Sequence, residues 1–253
     1  MKKFILITTT ALALSFTSCS ELLQIAGTMG NSGIPVSEAE NAAGLKTSLD
    51  VGIENAVNFL GIENGFMNDA LVKILLPAEA KPIIDNIKLI PGGQELVNRA
   101  ILSLNRTAED AVKEATPIFK KAISQITFTD ATGILFGGDY AATNYLKSKT
   151  SADLLAAFAP KVRNSLGKPL VANMSTTQSW NSLTSAFNQL ANSPVGVYGG
   201  IKPVNVNLEE YVTQKALDAL FLKVGEEEKK IRENPVARIT SILKRVFGQL
   251  DKK

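Results

Sequence analysis

Apolar residues recur at intervals of three and four along most of the chain, which is the spacing of one face of an α-helix. The first such stretch follows Ser37-Glu38-Ala39-Glu40, which fits a capping box, and it reaches Leu60. The longest stretch spans residues 94–126, where Pro117 is expected to kink or split the helix. Further helices are predicted over residues 78–89, 130–136, 140–147, 152–166, 178–191, 208–233 and 236–250.

Residues that favour helix N-termini stand before several of these stretches. Ser151, Thr177 and Asn207 each precede a helical pattern and can accept a backbone N–H bond in the first turn. Asn234-Pro235 predicts the end of one helix and the start of the next, with Asn as the N-cap and Pro at the first helical position. These signals indicate the all-α class.

Residues 195–206 do not follow the helical spacing. They contain Gly196, Gly199-Gly200 and Pro203, which predicts a loop or a short extended hairpin, with the proline confining any strand to an edge. The sequence therefore predicts a single all-α domain, packed as a bundle or an irregular orthogonal array, with a short extended hairpin as an option near 195–206.

The N-terminus has the pattern of a bacterial export signal. Met1-Lys2-Lys3 is basic, and the uncharged run over residues 4–16 is short for a membrane span but suits a signal peptide. Thr17-Ser18-Cys19 follows and resembles a lipobox, the signal for cleavage before a cysteine that is then lipidated, with Phe16 where leucine is usual. An ordinary signal peptide that leaves a free Cys19 is the alternative.

These observations divide the chain into three parts. We expect residues 1–18 to be a lipoprotein signal peptide, residues 19–36 a lipidated tether, and residues 37–253 the all-α domain. The membrane contact is expected through the lipid on Cys19. Ser20 stands where inner-membrane lipoproteins of well-studied bacteria carry aspartate, and this resemblance implies the outer membrane, facing the periplasm.

The composition excludes several chemistries. The chain has 253 residues with no histidine and one cysteine, so it can form neither a Ser-His-Asp triad, a Cys-His dyad nor a histidine-ligated zinc site. Loss of Lys2 and Lys3 with the signal peptide would bring the basic and acidic residues close to balance, which gives no electrostatic footprint for nucleic acid. We expect no metal, no cofactor and no nucleic-acid partner.

Four short motifs occur in order along the helical domain. The first is Asn105-Arg106-Thr107-Ala108-Glu109-Asp110-Ala111, and the second joins Asp130-Ala131, Ile134-Leu135-Phe136-Gly137 and Ala141-Ala142-Thr143-Asn144-Tyr145. The third joins Tyr211-Val212 and Ala216-Leu217-Asp218-Ala219-Leu220-Phe221, and the fourth joins Glu228, Ile231-Arg232, Asn234-Pro235 and Leu243-Lys244-Arg245-Val246-Phe247-Gly248. Together they resemble the Domain of Unknown Function 4197 family of bacterial envelope proteins, over about residues 40–250. The resemblance implies the fold and the compartment, but it brings no known activity.

Polar residues of these motifs are the candidate binding residues. Helical spacing places Glu109 one turn after Asn105 and Asp110 one turn after Arg106. This arrangement indicates either a polar groove for a ligand or acid–base chemistry, or an Arg106–Asp110 surface ion pair beside a structural hydrogen bond to a neighbouring helix. The full candidate set is Asn105, Arg106, Glu109, Asp130, Thr143, Tyr145, Tyr211, Glu228 and Arg232.

Charged residues near helix ends are expected to have structural roles. Asp130 and Asp139 are predicted N-caps, and the spacing predicts ion pairs Glu226–Lys230 and Glu228–Arg232. The second pair also belongs to a motif, which favours a buried pair that orients the last helix. That helix, predicted over residues 236–250, places Ile239 on a core-facing stripe and Arg238 on a solvated basic face.

Three function classes remain open. The lack of a catalytic or metal signature favours a lipid-anchored helical protein of the periplasm, which acts as a non-enzymatic interaction or structural module with an envelope protein or lipid as its partner. A small-molecule or lipid-binding protein with a cavity between its helices is the second class. The third is a hydrolase that acts on envelope glycan through two carboxylates among Glu109, Asp130 and Glu228, a chemistry that needs no histidine.

Overall fold

Two long helices, Glu38–Leu60 and Leu208–Glu233, lie against each other, and the other helices pack around them. The computed structural model describes residues 35–252, and within that part the chain forms ten α-helices and no strand. The all-α class and the single domain are therefore confirmed. The predicted signal peptide, Cys19 and nearly all of the predicted tether lie outside the described residues.

The helices are numbered here in chain order. They are α1 (Glu38–Leu60), α2 (Lys81–Asp85), α3 (Gly93–Val112), α4 (Ala115–Gln125), α5 (Ala131–Leu135), α6 (Ala141–Gly167), α7 (Thr176–Ala191), α8 (Pro194–Tyr198), α9 (Leu208–Glu233) and α10 (Ser241–Phe247). Short 3-10 helices occupy Ala78–Ala80, Ile87–Leu89, Pro235–Ala237 and Gly248–Lys252. None of the helices between residues 35 and 252 combines the length and apolar character needed to cross a bilayer.

The apolar stripe of α1 builds the centre of the core. Ser37 caps this helix as predicted: its hydroxyl accepts the Glu40 N–H, and the Glu40 carboxylate accepts the Ser37 N–H at 2.9 Å. Leu45, Leu49 and Ile53 are completely buried where α1 packs against α4, α9 and α10. Burial of each of these side chains contributes about 1.5–3 kcal/mol, so α1 is held chiefly by its packing.

The last helix closes on the first. A Cβ added at Gly44 of α1 would lie 2.6 Å from Cγ1 of Val246 on α10, so the two helices meet at a distance that only glycine allows. Nearby, Arg245 donates a hydrogen bond of 2.8 Å to Glu40. The contact therefore joins residues that are 205 positions apart in the chain.

The predicted break at Pro117 is present. The long helical pattern divides between Val112 and Ala115, and Pro117 lies in the first turn of α4. Proline is tolerated there because the first N–H groups of a helix have no acceptor within it. The prediction over residues 94–126 is thus correct in its pattern and in its division.

Three predictions in the middle of the chain are wrong in part. Helix α6 is continuous, so the helices predicted over residues 140–147 and 152–166 are one, and the Ser151 hydroxyl donates to the Lys147 carbonyl inside it at 2.6 Å. The N-cap of α7 is Ser175 rather than Thr177. The predicted helix over residues 78–89 is two 3-10 turns flanking α2.

No hairpin forms near residues 195–206, in contrast to the option the sequence left open. Part of that segment belongs to α8, and residues 201–206 after it form neither helix nor strand. The Asn188 side chain accepts the Val204 N–H at 2.9 Å and donates to the Val204 carbonyl at 3.2 Å. One amide side chain thus supplies the hydrogen bonds that a neighbouring strand would supply.

The C-terminal helix is shorter than predicted. Thr240 caps α10, and Ile239, which was expected in the core, is exposed. Arg238, which was expected in solvent, is only 2% exposed because its guanidinium donates to the carbonyls of Ile231 and Arg232, each at 2.9 Å. These carbonyls end α9 and have no N–H partner within the helix, so Arg238 satisfies them.

Candidate functional site

A buried glutamate of α9 caps the start of α6. Glu228 is completely buried, and its carboxylate accepts the backbone N–H groups of Ala142 at 2.9 Å and Thr143 at 2.7 Å, together with the Thr143 hydroxyl at 2.6 Å. The first N–H groups of a helix lack intrahelical acceptors and form the positive end of its dipole. Tyr140, the N-cap residue of α6, makes no side-chain hydrogen bond to the first turn. Glu228 therefore supplies the acceptor for these N–H groups.

Arg232 extends this contact to a third helix. Glu228 Oε1 accepts from Arg232 Nε at 2.9 Å and Nη2 at 2.6 Å. The same guanidinium donates to the carbonyls of Leu135 at 2.5 Å and Ile134 at 3.2 Å, which end α5, and it lies 5.7 Å from the Phe247 ring. The predicted buried Glu228–Arg232 pair is confirmed, and it joins α5, α6 and α9.

Two charge contacts predicted near this pair are wrong. Asp139 does not cap α6, because its carboxylate pairs with Lys229 at 2.9 Å. Glu226 pairs with Lys223 at 3.0 Å rather than with Lys230. A carboxylate from another helix takes the capping role, and sequence spacing cannot reveal a partner that is so distant in the chain.

A buried asparagine of α3 holds the loop between α1 and α2. Asn105 is completely buried, and its Oδ1 accepts the Ile74 N–H at 2.9 Å while its Nδ2 donates to the carbonyls of Ile74 and Ile101, both at 2.8 Å. The Tyr211 hydroxyl on α9 donates to the carbonyl of Leu75 at 2.8 Å. Two candidate residues therefore fix adjacent positions of one loop.

The start of the same loop is bound by Arg106 and Glu109. Glu109 Oε1 accepts the Phe66 N–H at 3.3 Å, and its Oε2 accepts from Arg106 Nη1 at 2.6 Å. Arg106 Nη2 donates to Glu63 at 2.9 Å and to Asn64 at 3.0 Å. These contacts hold Asn64 in the left-handed backbone region, with φ of 67°.

The predicted Arg106–Asp110 pair does not form. Asp110 instead accepts hydrogen bonds from Ser165 and Lys168 at the end of α6, both at 2.6 Å. Burial alone would raise the pKa of Asp110, but the hydrogen bonds from Lys168 and Ser165 outweigh it and hold the pKa below its usual value. Asp110 thus joins α3 to α6.

The other candidate residues also bind main-chain groups. Asp130 caps α5 as predicted, accepting the Gly133 N–H at 2.6 Å. The Tyr145 hydroxyl donates to the Thr127 carbonyl at 2.8 Å, and its ring stacks on Phe128 with the centroids 5.2 Å apart. The first contact caps a helix, and the second fixes the chain segment between α4 and α5.

The candidate residues therefore do not converge in one reactive centre. Thr143, Glu228 and Arg232 form one cluster, and Arg106 and Glu109, beside Asn105 on α3, form a second. Burial, followed by the charge of Glu79, raises the pKa of Tyr211, which keeps this hydroxyl protonated as a donor. Within the part of the chain that the structure describes, no three acidic or cysteine residues are grouped so that they could hold a metal ion.

An open cleft of about 570 Å³ lies where the anchored segments meet. One wall is the loop at residues 71–73, next to the positions that Asn105 and Tyr211 hold. The start of α6, including Thr143, forms the second wall, and the α9 face around Asp218 forms the third. This space is called the loop cleft below. Of the candidate residues, Thr143 lines the cleft, and Asn105, Tyr211 and Glu228 hold segments of its walls. Other residues of the second and third motifs also line it, namely Asn144, Asp218, Ala219 and Phe221.

A second, larger cleft of about 880 Å³ lies between α4 and α6. Tyr145 lines it, and Lys121 and Lys149 supply positive charge against the carboxylate of Asp153. This space is called the α4–α6 cleft below. Of the candidate residues, Tyr145 alone lines it, so the motifs bear on it less than on the loop cleft.

A family model described as protein of unknown function (DUF4197) matches residues 35–248. The chain belongs to this family. The resemblance inferred from the four motifs is therefore confirmed, and the DUF4197 match includes both clusters and both clefts. No curated protein and no solved structure matches the chain.

The sequence did not reveal the cationic residues of the loop cleft in this DUF4197 chain. Lys73, Lys147 and Lys215 line it from three separate elements. Their separation in the chain gives no common spacing, and each would be interpreted as a solvated surface lysine. Only the contact of the three elements brings them together.

Proposed function

We propose that this chain is a lipid-anchored, non-enzymatic binding module of the bacterial envelope, with the loop cleft as its contact site. The lipobox-like Thr17-Ser18-Cys19 supports an anchor at Cys19, and Ser20 supports a place in the outer membrane, facing the periplasm. The observation that carries the proposal is the burial of Glu109 and Glu228 with their carboxylate oxygens engaged by the fold.

Carboxylate catalysis needs oxygens that can reach a substrate. Glu228 is 0% exposed and Glu109 is 3% exposed, and each accepts main-chain N–H groups that would lose their acceptor if the side chain turned outward. An unsatisfied buried N–H group costs about 1–3 kcal/mol. These residues therefore serve as internal supports. Glu228 holds Thr143, which lines the loop cleft, and Glu109 holds the start of the loop whose later residues form another wall.

The contact site is tested by native mass spectrometry of the mature protein purified under mild conditions. Asn144 is exposed and lines the loop cleft, so Asn144→Trp would fill it. The matched control is Gln125→Trp, because Gln125 is exposed and lines the α4–α6 cleft. We expect a bound small molecule that Asn144→Trp removes and Gln125→Trp retains. A reproducibly empty protein would contradict the proposal.

The anchor and the absence of turnover need separate measurements. Growth with radiolabelled palmitate should label the chain, and Cys19→Ala should abolish the label and release the protein from the outer-membrane fraction. Purified protein should not hydrolyse isolated peptidoglycan. Hydrolysis that is lost in Glu109→Gln or Glu228→Gln, while the fold is retained, would replace this proposal with the glycan hydrolase.

A further inference from the structure

The loop cleft carries more cationic than anionic groups. Lys73, Lys147 and Lys215 line it, whereas Asp218 is its one acidic lining residue. Asp218 already accepts hydrogen bonds from Lys147 and from Gln214, both at 3.2 Å. Two ammonium groups are thus left without a carboxylate inside the cleft.

Neither of these two lysines has an ion pair among the described residues. Lys73 is half-buried, with no hydrogen bond or ion pair from its ammonium group, and Lys215 lies over the Tyr211 ring at 5.8 Å. The nearby carboxylates of Asp69 and Glu226 are bound to Lys223, at 2.8 Å and 3.0 Å. With these carboxylates occupied, Lys73 and Lys215 give the cleft an excess of positive charge, which favours an anionic ligand. The charge of Glu79 acts on Tyr211, but Glu79 forms no ion pair with Lys215 among the described residues.

Apolar side chains form the rest of the cleft. Leu71 is 74% exposed and Leu222 is 38% exposed, and both border the opening above the buried ring of Phe221. Exposed apolar groups of this size beside unpaired cations suit a ligand that has a charged head and an apolar tail. The cleft volume of about 570 Å³ lies within the range of small-molecule sites.

We propose that the loop cleft binds a single-chain amphiphile with a phosphate or carboxylate head, with the head at Lys73 and Lys215 and the tail along Leu71 and Leu222. This inference rests on the proposed function, since it names the chemical class of the ligand for the same cleft. The larger α4–α6 cleft has two lysines opposite Asp153 and a smaller excess of charge, so it serves as the comparison.

The direct test is isothermal titration of the purified domain with dodecyl phosphate below its critical micelle concentration. Inorganic phosphate and dodecyl maltoside are the comparison ligands, since the first carries the anionic charge without a tail and the second carries the same tail on an uncharged head. We expect dodecyl phosphate to bind at least about tenfold more tightly than either, with an affinity that falls as salt is added. Equal binding of dodecyl maltoside would overturn the anionic head, and equal binding of inorganic phosphate would overturn the tail.

A pair of charge variants locates the site. Lys73→Gln with Lys215→Gln should weaken dodecyl phosphate binding about tenfold, because two charge contacts to the anionic head are lost. Lys121→Gln with Lys149→Gln removes the same charge from the α4–α6 cleft, and Lys149 lies over Tyr145 at 5.5 Å as Lys215 lies over Tyr211. This control should change the affinity less than twofold. Equal weakening by both pairs would overturn the proposal.

A second pair tests the tail. Leu71→Ser with Leu222→Ser should weaken dodecyl phosphate and leave inorganic phosphate unchanged. The control is Val195→Ser with Val236→Ser, two exposed apolar residues that do not line the loop cleft. If the three probes fail to bind while the native adduct is still removed by Asn144→Trp, the ligand class is wrong and the proposed contact site stands.

Discussion

Glu228 of α9 holds the first turn of α6 through Thr143, with a carboxylate oxygen 2.7 Å from the Thr143 nitrogen and 2.6 Å from its hydroxyl. The arrangement joins a charged side chain to a helix end 85 residues away in the chain. Arg232 balances the charge and carries the contact to the end of α5. A buried ion pair therefore lies where three helices meet.

Removal of the Glu228 charge is expected to destabilise the whole domain. Glu228→Gln leaves the buried guanidinium of Arg232 without a carboxylate, which costs about 3–5 kcal/mol for buried pairs of this kind. Urea denaturation followed by circular dichroism measures the change in the free energy of unfolding. Glu227→Gln is the matched control, since Glu227 pairs with the exposed Lys230, and it should change stability by less than about 1 kcal/mol.

Loss of Asn105 is expected to loosen the loop between α1 and α2. Asn105→Ala leaves the N–H and the carbonyl of Ile74 without partners, at a cost of about 2 kcal/mol. Hydrogen exchange at the Ile74 amide should accelerate, whereas Asn98→Ala on the exposed face of α3 should leave it unchanged. Unchanged protection of Ile74 in Asn105→Ala would show that the loop is held by other contacts.

The contact between α1 and α10 is expected to reject any side chain at Gly44. In Gly44→Ala the new Cβ would lie 2.6 Å from Val246, and overpacking of this kind costs about 1–3 kcal/mol. Gly167→Ala, at the end of α6, has no heavy atom within 4 Å of its Cβ and should be neutral or slightly stabilising. Thermal unfolding of the two variants measures this difference. If Val246→Ala restores the thermal stability that Gly44→Ala loses, the clash lies between these two side chains.

The pH dependence of stability is expected to include an unfavourable contribution from the half-buried acid Asp50. Burial raises the pKa of Asp50, and its Oδ1 is buried without a hydrogen-bond partner among the described residues. Because the folded state holds this proton more tightly, its contribution makes stability fall as the pH rises from the ordinary pKa of 3.8 through the raised value. Asp50→Asn should therefore raise the free energy of unfolding at neutral pH.

Asp251 provides the contrast for that measurement. A hydrogen bond from Arg238 holds the pKa of Asp251 below its usual value, so its stabilisation is present above the ordinary value of 3.8 and is lost as the pH falls through the lowered pKa. Asp251→Asn should reduce stability at neutral pH, with a difference from the wild type that shrinks in acid. Denaturant titrations from about pH 7 to about pH 3 should give the two variants opposite signs.

Sequence reasoning identified the elements that depend on local chemistry. The capping box at Ser37, the cap at Asn207 and the division near Pro117 all follow from neighbouring residues, and all are present. The Glu228–Arg232 pair could also be predicted from the sequence, since its members are one helical turn apart. These features do not depend on side chains that another helix contributes.

The predictions that failed depend on partners that are distant in the chain. Asp139 was the reasonable cap for α6 by position, but the packing of α9 places a carboxylate on the same N–H groups. Arg238 follows a basic amphipathic pattern, yet the end of α9 supplies carbonyl acceptors that draw it inside. The lysines of the loop cleft could not be predicted for the same reason, because they come together only when the loop, α6 and α9 pack against one another.

Because α10 packs on Gly44 of α1, the core around α1 cannot be completed until α10 has been synthesised. The apolar stripe of α1 is synthesised well before α10, which covers part of it. Until then part of the apolar surface of α1 is exposed to other chains, and exposed apolar surface promotes aggregation of growing polypeptides. We therefore expect the nascent protein to depend on a holding chaperone until α10 has left the ribosome.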